Sequence, residues 1–74
     1  MKKLIINTNI SIEYVKAINT LVPKLHHKTI KDIWDNIQHL DMFFNENLNA
    51  YYDERSNAID FRDEDETTIF YIID

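Results

Sequence analysis

Residues 50–73 read AYYDERSNAIDFRDEDETTIFYII, and the alternation inside this stretch decides the fold. Apolar and polar side chains trade places at every second position, the period of an extended strand and not of a helix. Residues 50–53, 58–62 and 67–73 are rich in Tyr, Phe, Ile and Thr and read as three short strands. Between them lie two polar turns, Glu54-Arg55-Ser56-Asn57 and Asp63-Glu64-Asp65-Glu66. Connections this short join neighbouring antiparallel strands, so the segment is expected to be a meander. Its core side takes Ile59 and Phe61, together with either Phe70 and Ile72 or Ile69, Tyr71 and Ile73.

Upstream the period lengthens. Residues 2–7 (KKLIIN) read as a strand, with Leu4 and Ile6 on one face and Ile5 on the other. Asn7, Thr8, Asn9 and Ser11 offer N-caps for a helix over residues 11–22, and Glu13 suits its positive end. Ile12, Val15, Ile18, Leu21 and Val22 recur at helical spacing along it. Pro23 should stop this helix, because proline lacks a donor and disfavours helical geometry at the preceding residue. That leaves residues 23–28 as a connector. Thr29 and Asp32 form a variant of the capping box. The helix they open spans residues 30–44, with Ile30, Ile33, Trp34, Ile37, Leu40 and Phe44 as its stripe. Asparagines 45, 47 and 49 break the pattern. The chain therefore reads as a single α+β domain over residues 1–74, ordered βααβββ, with two helices packed on one face of a mostly antiparallel sheet.

Composition removes whole classes of function. Glycine and cysteine are both absent. Without glycine, P-loops, dinucleotide fingerprints and nucleophile elbows have no usual form. Without cysteine there are neither disulfides nor thiolate metal sites, which fits a cytoplasmic protein. The opening MKKLII holds too short an apolar run for a signal peptide, and no stretch approaches the ~20 apolar residues of a membrane span. The expectation is a soluble, cytoplasmic protein.

Charge is divided unevenly. Residues 1–37 carry six lysines and three acids, a balance of +3, whereas residues 38–74 carry two arginines and ten acids, a balance of −8. Asp53, Glu54, Asp60, Asp63, Glu64, Asp65 and Glu66 lie close together in the acidic half. Carboxylates on strands and tight turns approach the phosphate spacing of a nucleic-acid strand, about 3.4 Å along the axis. Such an array would enter a groove built for phosphates. The plainer reading is a solvated hairpin whose charges keep a sheet edge from aggregating. Tyr51 and Tyr52 are adjacent on a strand, so one of them points away from the core, next to acids, where aromatic anchors serve interfaces.

Other chemistry finds little footing. Asp60, Asp63 and Asp65 lack the order, turn glycine and terminal Glu of an EF-hand. His26, His27 and His39 would need Asp35 or Asp41 brought round by the fold to hold zinc. Ser11 and Ser56 sit in no nucleophile motif. The lysines are scattered without arginine, and a net charge of −5 opposes direct binding to nucleic acid. No catalytic residue, metal or cofactor is assigned.

The opening MKKLIIN, the helical IKDIWDNI and the final TTIFYIID resemble the barstar family of acidic ribonuclease inhibitors. The glycine-containing segment and later helices of that family are missing, and no site residues are carried over. Small size, acidity and richness in Asn, Ile, Lys and Asp are also similar in type to phage anti-restriction and anti-CRISPR proteins. The expectation is an inhibitor, not an enzyme, that occludes a basic, nucleic-acid-binding surface of a protein partner. It would do so through Tyr51, Tyr52, Asp53, Glu54, Asp60, Asp63, Glu64, Asp65 and Glu66. An immunity protein or antitoxin is the nearest variant. The competing reading is a structural or regulatory domain that homodimerises through its sheet or helix face.

Overall fold

The computed structural model describes residues 2–7, 12–38 and 48–74. Its elements are β1 (Lys3–Ile6), α1 (Ile12–Leu21), a 3-10 helix (Val22–His26), α2 (Ile30–Ile37), β2 (Asn49–Asp53), β3 (Ala58–Arg62) and β4 (Thr68–Ile73). The four strands form one antiparallel sheet in the order β1-β4-β3-β2. The α+β fold with helices on one sheet face is the one the periodicities imply. Residues 39–44 of the second helix, with His39, Leu40, Asp41 and Phe44, lie outside the described residues, as do Thr8, Asn9 and Ser11.

Register decides which side chains share a face, since directly opposed residues point the same way. Leu4 faces Ile72, Ile72 faces Ile59, and Ile59 faces Tyr52. Ile6, Phe70, Phe61 and Ala50 form the parallel row. Of the two possible core sets on β4, Phe70 and Ile72 are the buried one, and the Phe70 ring stacks on Phe61 at 4.6 Å. Ile69 is buried as well, although it adjoins Phe70. The register explains this: Phe61 pairs with Phe70 but Arg62 pairs with Thr68, so Ile69 is the extra residue of a β-bulge.

From α1 come Tyr14, Ala17 and Leu21, and from α2 come Ile30, Ile33 and Ile37. The α2 stripe follows the sequence reading, and Thr29 caps it by accepting the Asp32 N–H at 3.0 Å. Trp34 is only half-buried at the border of that stripe, stacked on Tyr52 at 6.0 Å. The α1 stripe differs. Ile12, Val15 and Val22 are exposed, and the helix instead turns the Tyr14-Ala17-Ile18-Leu21 side to the sheet. Tyr14 and Ala17, with Ile18 and Leu21, complete the i, i+3, i+4, i+7 pattern that wins.

The α-helix ends at Leu21, ahead of Pro23 as expected, but the segment beyond it differs from the expectation. Pro23 falls in the first turn of the 3-10 helix, where a missing N–H leaves nothing unsatisfied. The chain thus continues helically through Val22–His26 instead of opening into a connector. His26 Nδ1 bonds the Pro23 carbonyl, and the His26 and His27 rings stack at 4.9 Å.

Candidate functional site

The acidic residues are placed by two turns at opposite ends of β3. Five residues of strand separate them, about 17 Å at the usual rise. At one end, Asp53 closes the β2–β3 turn by accepting the Arg55 N–H at 3.0 Å. Asn57 completes that turn at φ 53°, taking the left-handed conformation that glycine would otherwise supply.

At the other end, Asp63 organises the β3–β4 turn. Its Oδ1 accepts the N–H groups of both Asp65 and Thr67 at 2.9 Å. The backbone closes around it, with Asp63 N–H donating to Thr67 O and Glu66 N–H donating to Asp63 O, each at 3.0 Å. Glu66 stands at φ 62°. Asp63 is therefore a structural residue of the turn, whereas Glu64, Asp65 and Glu66 are exposed on it. The start of α1 lies in the field of this turn. Burial pushes the Tyr14 hydroxyl pKa above its ordinary value, and the carboxylates of Glu13, Asp63 and Glu64 push it further up.

The remaining sequence-predicted residues part company across the sheet. Tyr52 faces the helices and packs against the core, as its stack on Trp34 shows. Tyr51 points to the other face and is 39% exposed. There the Arg62 guanidinium carbon lies 4.5 Å from the Tyr51 ring centroid, over the ring, and Arg62 Nε donates to Asp60 Oδ2 at 3.0 Å. Thr68 Oγ1 donates to the same carboxylate oxygen at 3.2 Å. Asp60 is thus neutralised and held. It is not one of a row of free anions, and the seven acids do not form one continuous line.

Among the described residues no helix covers this face of the sheet, and sequence reasoning set Ile5 apart from Leu4 and Ile6 without joining it to Tyr71, Ala58 and Ile73. Ile5, Tyr71, Ala58 and Ile73 are half-buried on this open face, outside the buried cluster, with Lys3 and Asp53 exposed at its edges. The available signal was the unbroken apolar run Ile69–Ile73, which leaves apolar groups on both faces of one strand. Among the described residues, no three His, Cys, Asp or Glu side chains come together as a metal-binding set. Nor is any described helix long and apolar enough to cross a membrane. Comparison with protein-family models, with curated proteins and with solved structures finds no match to this chain.

Proposed function

We propose that this protein is a non-catalytic inhibitor that docks its acidic β3–β4 turn on a basic, nucleic-acid-binding surface of another protein and occludes it. Anti-defence proteins of phage or mobile elements, immunity proteins and antitoxins are the classes that work this way. The observation that supports the reading is the build of the turn. Asp63 fixes the backbone with two hydrogen bonds, and three successive carboxylates, Glu64, Asp65 and Glu66, stand free on that fixed frame. A preorganised anionic loop loses little entropy on docking, and its charge speeds encounter with a cationic groove. No bond is made or broken in such a mechanism.

The test is capture from a bacterial lysate on the immobilised protein, followed by assay of the captured protein for DNA binding. Glu64→Lys combined with Asp65→Lys should leave folding intact and slow association at low salt. Raising salt from 50 to 500 mM should slow the unmodified protein similarly, as the Debye length falls from roughly 14 to 4 Å. A captured partner that binds the double-lysine variant equally fast, or that keeps its DNA in the presence of the protein, overturns the proposal.

A further inference from the structure

The open face of the sheet has a two-dimensional pattern that register makes explicit. One row across β1-β4-β3-β2 is Lys3, Ile73, Ala58, Asp53, and the next is Ile5, Tyr71, Asp60, Tyr51. Opposite charges thus occupy opposite edges of the first row, and apolar groups fill the middle. β1 and β4 also carry apolar residues on both faces, the composition of strands that are covered on both sides.

We infer that this face binds a second copy of the chain, face to face, about a two-fold axis parallel to the strands. That operation lays β1 over the partner copy's β2 and β4 over its β3, keeping each row in place. Lys3 then meets Asp53, Ile73 meets Ala58, Ile5 meets Tyr51, and the Tyr71 hydroxyl comes over the Asp60 carboxylate. Each contact occurs twice. An axis perpendicular to the strands lays each strand over its own copy and never brings Lys3 to Asp53, so the opposite charges at the ends of the first row select the parallel axis. The face is small: four strands at about 4.8 Å by five residues at about 3.4 Å give on the order of 330 Å² per copy. Stable interfaces bury about 800 Å² per partner, so the dimer is weak and reversible, forming toward about 10⁻⁴ M.

Sedimentation equilibrium reads the association directly. The mass should rise from 8.9 kDa toward twice that value between about 10 μM and 1 mM. Ile73→Lys should weaken association at least about tenfold by placing an unpaired charge in the contact. Should Ile73→Lys melt early, Tyr51→Glu at an exposed position reads the same contact. A carbodiimide, which joins an amine to a carboxylate without a spacer, should yield a covalent dimer linked from Lys3 to Asp53. Within one chain those residues stand three strand spacings apart, about 14 Å, beyond such a link. A protein monomeric at 1 mM, a dimer indifferent to both substitutions, or cross-linked dimers lacking the Lys3–Asp53 peptide would each overturn the inference.

Discussion

Arg62 holds Tyr51 and Asp60 at once, its guanidinium carbon over the tyrosine ring at 4.5 Å and its Nε on the carboxylate at 3.0 Å. The Arg62 and Asp60 side chains are 35% and 31% exposed, so solvent screens the pair, which contributes at most about 1 kcal/mol. The cation–π contact adds about 0.5–1 kcal/mol. Arg62→Ala should therefore lower stability by about 1–2 kcal/mol in urea unfolding, and Tyr51→Leu by the smaller share alone. Equal losses from both variants would mean that the carboxylate contact adds nothing.

Tyr14 makes stability depend on alkaline pH. Its pKa is raised in the fold, above the ordinary value of 10.0. The unfolded chain therefore loses this proton first as pH rises. Tyr14 is stability-neutral below about pH 10 and costs stability as pH climbs from there toward the folded pKa. In Tyr14→Phe this part of the alkaline decline should vanish, measured as melting temperature between pH 8 and 11 against the unmodified protein. A parallel decline in both proteins would assign the effect to other groups.

Glu66 takes a left-handed backbone that costs a non-glycine residue about 1–2 kcal/mol. Glycine recovers that strain but gives back part of it in unfolded-chain entropy. Glu66→Gly should thus stabilise by about 0.5–1 kcal/mol, raising the melting temperature by about 4–8 °C per kcal/mol. Asn57→Gly should gain less, because asparagine already tolerates that region. A Glu66→Gly protein that melts earlier than the parent refutes the strain.

Asp63 and Glu64 should separate cleanly on substitution. Asp63→Ala removes the acceptor of two backbone N–H groups and should cost about 1–2 kcal/mol. Glu64→Lys, on an exposed side chain, should stay within about 0.5 kcal/mol. Chemical denaturation of the two variants side by side checks the order.

Phe61→Ala empties a fully buried position stacked on Phe70 and should cost about 3–5 kcal/mol. Total stability is usually only about 5–15 kcal/mol, so a domain this small stands near unfolding. Trp34→Ala should cost clearly less, since the ring is half-buried at the edge of the core, where it stacks on Tyr52. Identical melting of the two variants would contradict that ranking.

Strand and helix periods were legible because β3 and α2 each bury one clean stripe. The phase of α1 was not, because Ile12 and Val15 mimic a core stripe while the neighbouring Tyr14-Ala17-Leu21 stripe carries the contacts. The acidic cluster was legible as composition but not as geometry. Sequence proximity places Asp53 and Asp63 ten positions apart, and only the length of β3 sends them to opposite ends. Asp60 pairs with Arg62 two positions along the same strand, and Thr68 joins them only because of the bulge at Ile69.

That bulge shifts the reading frame of the strand. Thr68 and Phe70 are two positions apart, yet one bonds Asp60 on the open face and the other lies in the core. Deleting Ile69 would leave Phe61 opposite Phe70 and Arg62 opposite Thr68 in plain alternation, at the cost of one buried side chain. Length drift in this fold is therefore absorbed at one place: a residue lost at position 69 spares the faces of Thr68 and Phe70, whereas one lost within the paired run Phe70–Ile73 turns part of the strand over.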